Sequence, residues 1–214
     1  VRNPLMASDL AALGVGVRHA DYTRPETLDA AFEGAEKLLL ISSNEVGQRV
    51  AQHRNVIEAA ALAEVELVAY TSILRARTSP LGLAAEHKKT EDLLEATGLP
   101  CVLLRNGWYT ENYLANISSA LQSGVLIGCA GNGKISSAAR TDYAAAAAEV
   151  LTRENQAGRV YELAGDKAYT LIELATEVTL QTGKPLVYQN MSEADYIRAL
   201  VGAGVPEPVA EMLA

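Results

Sequence analysis

Small and polar side chains follow the predicted strands of this sequence, and their types suit a charged ligand. The positions are Arg2, Asp21, the run Ser42, Ser43 and Asn44, then Ser72 and Asn106. In an open α/β sheet, ligands bind outside the carboxyl ends of the strands. The pattern therefore favours a nucleotide site, although polar residues also end many strands that bind nothing.

Other kinds of chemistry lack the residues they need. The histidines (His19, His53, His87) and the cysteines (Cys101, Cys129) show no zinc-ligand spacing. The sequence contains no nucleophile elbow of the Gly-x-Ser-x-Gly type and no Walker loop. None of the nine tyrosines has a lysine four residues later, a pair that many carbonyl reductases use to protonate a carbonyl oxygen. A zinc enzyme, an α/β-hydrolase and an ordinary alcohol dehydrogenase are all disfavoured.

Strands and helices alternate through the first half of the chain. Strands are predicted over residues 15–20, 37–42, 67–72 and 101–105. Helices are predicted from a capping box at Thr23 and Glu26 through Phe32, over 48–63, and over 84–97 before Gly98. This alternation predicts an α/β fold with a doubly wound parallel sheet.

The second half is less regular and predicts a small α+β lobe. Helices are expected over residues 112–123, from 142 to about 152 after Thr141, from Thr170 to Gly183, and over 193–203 after Ser192. Strands are expected over 160–164 and 186–189, and a tight turn over 131–133. We expect a sheet domain over residues 1–130 and a lobe over 131–214 that is interleaved with it, with a cleft between them.

The composition bounds the class of protein. Of the 214 residues 49% are hydrophobic and 21% are charged, enough apolar surface for a sizeable core. The formal net charge of -8 disfavours a nucleic-acid surface, which needs clustered positive charge. Two cysteines exclude a disulfide scaffold and favour a reducing, cytoplasmic compartment. No apolar run reaches the length of a membrane span, so no membrane partner is expected.

Both ends of the sequence suggest a piece of a longer chain. Val1-Arg2-Asn3 is predicted to be the tail of a strand, with Pro4 in the first turn of a helix, and Glu211 to Ala214 stop in a helical pattern. We therefore expect that a first βα unit with its glycine-rich phosphate loop is missing. The alternative is a ragged version of a complete domain.

Three segments resemble the NmrA-like branch of the atypical short-chain dehydrogenases, and within it the bacterial NAD(P)H:quinone oxidoreductases. They are LLLISSNEVGQRVAQH at 38–53, YTSILRARTSPLGL at 70–83 and RNGWYTEN at 105–112. The similarity continues through GCAGNGKISSAARTDYAAAA at 128–147 and YELAGDKAYTLIELA at 161–175. It covers almost the whole chain and implies a Rossmann-like domain that binds NAD(P).

The resemblance implies where the cofactor would be bound. Arg2 would stand at the end of a strand where an arginine suits a 2′-phosphate and an acidic residue suits a ribose hydroxyl, so NADP(H) is favoured over NAD(H). The remaining expected cofactor contacts are Ser42, Ser43 and Asn44 at the adenosine, and Asn106, Gly107, Trp108, Tyr109, Thr110, Glu111 and Arg140 near the nicotinamide. Arg2 could instead be solvated, and Arg140 could instead belong to a surface ion pair.

The same resemblance implies an aromatic substrate shelf made of Trp108, Tyr109 and Tyr113. Trp108 could instead be a core residue. His87 stands where related reductases place a catalytic lysine, and a histidine could donate a proton near pH 7. Alternatively His87 only lines the cleft.

Two functions from different classes follow. One is the reduction of a quinone by hydride transfer from NAD(P)H, with a small-molecule quinone as the partner. The other is an NAD(P)-sensing regulator without turnover. The sequence leaves the oligomeric state open, with a homo-oligomer as one candidate.

Overall fold

The computed structural model describes residues 1–214, apart from the side chain of residue 115, and divides the chain into two compact units. The first unit comprises Val1–Asn106 and Ala145–Glu162, and the second comprises Gly107–Ala144 and Leu163–Ala214. This division differs from the expected boundary at residue 130, which lies inside the second unit. The reason is that a late strand, beginning at Val160, joins the sheet of the first unit.

The first unit is built on a sheet of four strands. They are β1 (Lys37–Leu40), β2 (Leu67–Ile73), β3 (Cys101–Asn106) and β5 (Val160–Leu163), in the order β1-β2-β3-β5. β1 and β2 are parallel with Lys37 opposite Leu67, and β2 and β3 are parallel with Val68 opposite Cys101. β2 is buried from Leu67 to Ser72, as expected for a parallel strand that is covered on both faces.

Helices of the first unit cover this sheet. They are α1 (Ser8–Ala12), α2 (Leu28–Phe32), α3 (Arg49–Leu62) and α4 (Ala84–Thr97), and α3 packs against α4. Buried residues of α3 recur at helical spacing, from Gln52 and His53 to Val56 and Ile57. Leu28 of α2, Leu40 of β1, Val68 and Tyr70 of β2, and Leu94 of α4 complete one continuous core. The doubly wound α/β fold predicted from the sequence is confirmed.

The second unit has its own small sheet and core. β4 (Val125–Gly128) and β6 (Val187–Asn190) run parallel. Its helices are α5 (Thr110–Ser123), α7 (Leu171–Thr182), α8 (Glu193–Gly202) and α9 (Glu207–Leu213). Ala120, Leu126, Ala175 and Leu186 form the core between these elements. The helix α6 (Arg140–Thr152) begins in this unit and ends in the first.

The predictions for the start of the chain are wrong in two places. Residues 15–20 form no strand, because among the described residues only Val1 pairs with them. The Val1 amino group donates to the Arg18 carbonyl at 2.9 Å, and the Ala20 N–H donates to the Val1 carbonyl at 3.0 Å. Residues 1–3 form none either. Instead Asn3 caps a 3-10 helix over Pro4–Ala7, with its side chain accepting the Leu5 N–H at 3.1 Å. Pro4 does lie in the first turn of a helix, as predicted.

Two predicted helix caps are also wrong. Thr23 caps no helix, since its N–H and hydroxyl donate to the Asp21 carboxylate at 2.9 and 2.7 Å, and a 3-10 turn over Pro25–Thr27 precedes α2. Thr141 lies within α6, and the Asp142 carboxylate instead accepts the Ala139 N–H at 3.2 Å. The strand β4 was not predicted at all.

Candidate functional site

The β1 loop, residues 41–48, leaves the carboxyl end of β1 and is fixed by hydrogen bonds to neighbouring elements. The Ser42 N–H donates to Thr71 Oγ1 of β2 at 2.8 Å, and the Ser43 N–H donates to His53 Nε2 of α3 at 2.9 Å. The Gly47 N–H donates to Glu86 Oε1 of α4 at 2.9 Å. The loop is therefore held at both ends, while Asn44 is exposed and Ser42 and Ser43 are half-buried.

His53 is neutral, and the hydrogen bonds fix its tautomer. Because Nε2 accepts from Ser43, the ring proton must be on Nδ1, which lies 3.0 Å from Thr90 Oγ1. Thr90 in turn donates its own hydrogen to the Glu86 carbonyl at 3.0 Å. Burial, with the nearby Arg49 guanidinium, lowers the pKa of His53 to about 4. Protonating Nε2 would break the bond that holds Ser43.

Arg49 is the buried cation beneath this loop. Its Nε donates to the Ser43 carbonyl at 2.6 Å, and its Nη1 lies 3.2 Å from Glu86 Oε2. The guanidinium is 6% exposed and the Glu86 carboxylate is 16% exposed, so the pair is largely desolvated. Removing either partner would leave an uncompensated charge beneath the loop.

His87 lies inside the first unit and not on an open surface. It is 5% exposed, and its Nδ1 lies 2.8 Å from the Tyr70 hydroxyl. Burial, then Arg49 and His53, lower the pKa of His87 to about 3. An imidazole with such a pKa is neutral near pH 7, so this geometry does not support the predicted proton donor. It supports a structural bond to Tyr70, whose own pKa is raised by burial.

Arg2 is exposed and forms an ion pair with Glu45 of the β1 loop. Its Nη1 lies 3.3 Å from Glu45 Oε1, and the two side chains are 70% and 42% exposed. Asp21 is the other carboxylate that acts on Arg2, but its hydrogen bonds go to Thr23, and these bonds lower the pKa of Asp21. The strand-end pattern of the sequence pointed to Arg2 and Asp21 but not to Glu45.

Ser72, at the end of β2, belongs to a buried polar cluster around Glu91. Glu91 Oε1 accepts from the Ser72 hydroxyl at 2.6 Å and from Arg105 Nε at 2.9 Å. Glu91 Oε2 accepts from Arg105 Nη2 at 2.7 Å, and Arg105 Nη1 also reaches Glu162 of β5 at 2.9 Å. These bonds raise the pKa of Arg105. The cluster joins β2, β3, β5 and α4, so its role is to hold the sheet together.

Asn106 ends β3 and carries an unpaired acceptor. The residue is 6% exposed, and its Oδ1 is buried without a hydrogen-bond partner, the only such side-chain atom among the described residues. A buried, unpaired carbonyl oxygen is costly unless a ligand or water donates to it. Its position at a strand end makes it a candidate acceptor for a ligand N–H or O–H.

In the second unit, aromatic rings follow immediately after β3. The Tyr109 and Tyr143 rings are 5.2 Å apart between centroids, at 55°. The Trp108 carbonyl accepts the Ala138 N–H at 3.2 Å, and Trp108 is half-buried and not a core residue. The Gly107 N–H donates to the Leu163 carbonyl at 2.8 Å. These backbone bonds fix the segment that carries Trp108 and Tyr109.

Arg140 packs on the same aromatic group. Its guanidinium carbon lies 5.3 Å from the centroid of the Tyr109 ring, within cation–π range. The Arg140 backbone N–H donates to the Glu111 carboxylate at 2.9 and 3.1 Å, and this bond is the main reason that the pKa of Glu111 is lowered. Thr110 Oγ1 lies 2.8 Å from Ser137 Oγ. The structure thus brings Tyr109, Glu111 and Arg140 together.

Tyr113, one turn further along α5, lies near other tyrosines of the second unit. It is half-buried, and burial raises its pKa to about 12, with Tyr169, Tyr196 and Tyr188 as further contributors. Tyr113 therefore stays protonated near neutral pH and adds flat, weakly polar surface. Its placement suits an aromatic ligand.

Sequence reasoning missed the residues that fix the β1 loop. Arg49, Gln52 and His53 are all buried polar side chains of α3, at relative positions i, i+3 and i+4. A polar stripe at helical spacing, on a helix whose same face packs into an apolar core, is the signal that could have found them.

Two kinds of feature are absent from the described part of the chain. No group of three or more His, Cys, Asp or Glu side chains there is placed to hold a metal ion. No helix there combines the length and apolar character that a membrane crossing requires.

A parallel sheet with helices, whose strands end in polar loops, defines the class of doubly wound nucleotide-binding folds. The model of the NAD(P)H-binding family matches residues 1–154. The chain belongs to this family.

Known proteins are similar over the whole chain. Quinone oxidoreductase 2 of Escherichia coli is 59% identical over all 214 residues, which cover 75% of that protein. The crystal structure of the NADPH-dependent quinone oxidoreductase from Escherichia coli, complexed with NADPH, matches with a TM-score of 0.96 over all of this chain and 76% of that one. These matches confirm the resemblance found in the sequence.

Two further solved structures are similar to this chain at lower sequence identity. Triphenylmethane reductase of Citrobacter sp., complexed with NADP(H), is 40% identical with a TM-score of 0.94, over all of this chain and 76% of that one. The negative transcriptional regulator NmrA is 16% identical with a TM-score of 0.75, over 89% of this chain and 65% of that one, and shares only the fold.

Proposed function

We propose that this protein reduces quinones by hydride transfer from NADPH. The observation that carries the proposal is the 59% identity, over the full chain, to a quinone oxidoreductase. The structure supports it with aromatic side chains that suit a flat acceptor, Trp108, Tyr109 and Tyr113. Reduction of a quinone adds one hydride and one proton and gives a hydroquinone. A triphenylmethane reductase among the relatives is consistent with a flat, conjugated acceptor.

The residues present fit NADP(H). Arg2 has an exposed guanidinium that can bind a 2′-phosphate. Ser42, Ser43 and Asn44 are small and follow β1, where they can approach an adenosine. The unpaired Oδ1 of Asn106 can accept from an amide N–H, such as that of a nicotinamide carboxamide. Two of the similar structures contain NADPH or NADP(H). Arg140 and Glu111 are further proposed contacts of the cofactor.

The protein's contribution to the reaction is orientation. When bound, the reduced nicotinamide supplies the hydride. Trp108 and Tyr109 would stack the acceptor ring so that the reacting atoms lie about 3 to 3.5 Å apart. The one net proton that the reduction needs besides the hydride can come from water, because this acceptor is electron-poor and needs little acid assistance. His87, neutral and bound to Tyr70, is not required to supply a proton.

The alternative function is an NAD(P)-sensing regulator without turnover. The NmrA structures carry little weight for it, because at 16% identity they share the fold alone. A sensor has no use for an aromatic shelf, whereas a quinone reductase needs one.

The test is the oxidation of NADPH with benzoquinone as the acceptor. We expect turnover, with a primary isotope effect when the transferred hydrogen of NADPH is replaced by deuterium. The control is NADPH without a quinone, which must be stable. Binding of NADPH with no turnover on any quinone would support the regulator and end this proposal.

A second measurement tests the cofactor contact of Arg2. We expect Arg2→Ala to weaken NADPH binding by about 1.5 to 3 kcal/mol, the range for a hydrogen bond to a charged group, and to leave NADH binding nearly unchanged. Calorimetric titration with both cofactors measures this. Arg24→Ala is the matched control, because Arg24 also forms an exposed pair, with Glu26. Equal losses for NADPH and NADH would contradict the 2′-phosphate role.

We also propose a cytoplasmic location, because Cys101 and Cys129 are both free thiols, as a reducing compartment favours. The net charge of -8 disfavours nucleic acid as a partner.

A further inference from the structure

The β1 loop offers a carboxylate at the position where Arg2 would meet the cofactor. Glu45 Oε1 lies 3.3 Å from Arg2 Nη1. In nucleotide-binding folds of this class, an acidic residue about 20 residues after the glycine-rich loop accepts the ribose hydroxyl of NAD, and a nearby arginine accommodates the 2′-phosphate of NADP. We expect Arg2 at that position, and the acidic group beside it, Glu45, comes from the β1 loop. This chain has both groups, joined in one ion pair.

Glu45 is held in place by the protein. Its Oε2 accepts from Gln52 Nε2 at 2.8 Å, and Gln52 is 4% exposed. Its backbone N–H donates to Ser43 Oγ at 3.2 Å. Because Gln52 binds only Oε2, the other carboxylate oxygen stays directed at Arg2.

Asp21 does not offer the same function. It is near enough to act on Arg2 electrostatically, but one of its carboxylate oxygens accepts both the N–H and the hydroxyl of Thr23. Among the described contacts, Asp21 forms no hydrogen bond or ion pair with Arg2, whereas Glu45 Oε1 lies 3.3 Å from Arg2 Nη1. Glu45 is the carboxylate that pairs with Arg2.

We propose that Glu45 sets the choice between NADPH and NADH, an inference that rests on the proposed function. With NADH, Glu45 accepts a hydroxyl of the adenosine ribose while Arg2 stays paired with it. With NADPH, the 2′-phosphate replaces Glu45 as the ion-pair partner of Arg2. The Glu45 carboxylate then lies near the phosphate and repels it. Glu45 therefore supports NADH binding and weakens NADPH binding, so the protein uses both cofactors.

The exposure of the Arg2–Glu45 ion pair sets how much the affinity for each cofactor should change when the Glu45 charge is removed. An exposed ion pair is individually weak, so releasing Arg2 costs little, and removing the Glu45 charge should tighten NADPH binding about two- to fivefold. A hydrogen bond to a charged group is stronger, so the same change should weaken NADH binding about tenfold. The ratio of the two dissociation constants should therefore shift roughly twenty- to fiftyfold toward NADPH.

The experiment is titration of the protein with NADPH and with NADH, for the wild type and for Glu45→Gln. Glu26→Gln is the matched control, because Glu26 is also an exposed carboxylate paired with an arginine, 2.9 Å from Arg24 Nε. We expect the ratio to shift in Glu45→Gln and not in Glu26→Gln. In the Arg2→Ala background, Glu45→Gln should tighten NADPH binding less than it does in the wild type, because no ion pair with Arg2 is left to release. Thermal unfolding of each variant confirms that it is folded.

The outcomes separate this inference from the proposed function. If Glu45→Gln changes the affinity for both cofactors equally, or for neither, while the wild type binds NADPH and turns over quinone, the inference alone fails. If the wild type binds neither cofactor, both fail together. A shift of the ratio without any quinone turnover would keep the role of Glu45 and reject the reductase.

Discussion

Trp108 and His87 have different surroundings, and they should respond differently to substitution. Trp108 is half-buried next to Tyr109 in the chain, and its carbonyl accepts the Tyr143 hydroxyl at 3.4 Å, whereas His87 is enclosed and bound to Tyr70. We expect Trp108→Ala to lower kcat/KM for quinones by about 10- to 100-fold, since lost stacking and positioning are worth a few kcal/mol at most. NADPH affinity should fall less. Trp108→Phe, which keeps a ring, should recover much of the loss.

His87→Ala should lower kcat/KM less than tenfold, because water can supply the proton. Its main effect should be on Tm, since Tyr70 would lose a buried hydrogen-bond partner. Steady-state kinetics and thermal unfolding of the same preparations measure both effects. If His87→Ala abolishes turnover and Trp108→Ala does nothing, the mechanism is acid-assisted carbonyl reduction, and the quinone assignment must be withdrawn.

Residue types alone were enough to name Ser42, Ser43 and Asn106 as strand-end candidates, because strand ends can be found from apolar runs. Arg2 was named on a strand that the structure does not form. Residue types were not enough to find Glu45 or His53. The importance of these two depends on hydrogen bonds across elements, His53 to Ser43 and Glu45 to Gln52, which no local pattern encodes.

At the scale of elements, we expect the Glu91 cluster to contribute more to the free energy of unfolding than any exposed ion pair does. Glu91 has a fully buried carboxylate, whereas Glu162, which binds the same arginine, is 42% exposed. We expect Glu91→Gln to reduce the free energy of unfolding by about 3 kcal/mol, because it leaves the Arg105 charge poorly compensated. Glu162→Gln, the matched control, should cost less than about 1 kcal/mol. Urea unfolding measures both.

A loss in Glu162→Gln as large as that in Glu91→Gln would show that burial does not decide the difference. A change in the slope of the urea transition would show instead that the variant no longer unfolds in the same cooperative step.

Helix ends were predictable where the signal is local. Gly98 and Gly183 end α4 and α7 with φ of 69° and 68°, a conformation that glycine adopts without strain, and Thr170 forms a capping box with Glu173. The sequence could not show whether residues 15–20 form a strand, because an apolar run becomes a strand only where another strand pairs with it. At Thr23 a nearby carboxylate, Asp21, took the hydrogen bonds that a cap would have used.

For the whole molecule, the two buried histidines predict the response of stability to pH. The folded pKa of each lies below its ordinary value of 6.5, at about 4 for His53 and about 3 for His87. The unfolded chain thus binds more protons as the pH falls below 6.5, so stability is full above that pH and declines below it. Between about pH 6.5 and 5 we expect a loss of roughly 2 to 4 kcal/mol in the free energy of unfolding.

Urea unfolding at several pH values in that interval measures the slope of the free energy of unfolding against pH. His19 is exposed, so His19→Gln is the control that keeps the slope, whereas His53→Gln should reduce it. A free energy that does not change across the interval in the wild type would contradict the neutral, buried state of both rings.

The three crossings of the chain between the units also constrain synthesis on the ribosome. The first unit needs β5, which is added to the sheet only after residues 107–144 have been made. At about 5 to 20 residues per second, this intervening segment delays completion by a few seconds. During that interval β3 has a free edge, and an unpaired strand edge is open to wrong pairing. A chaperone that binds extended segments would therefore act on β3 before β5 arrives.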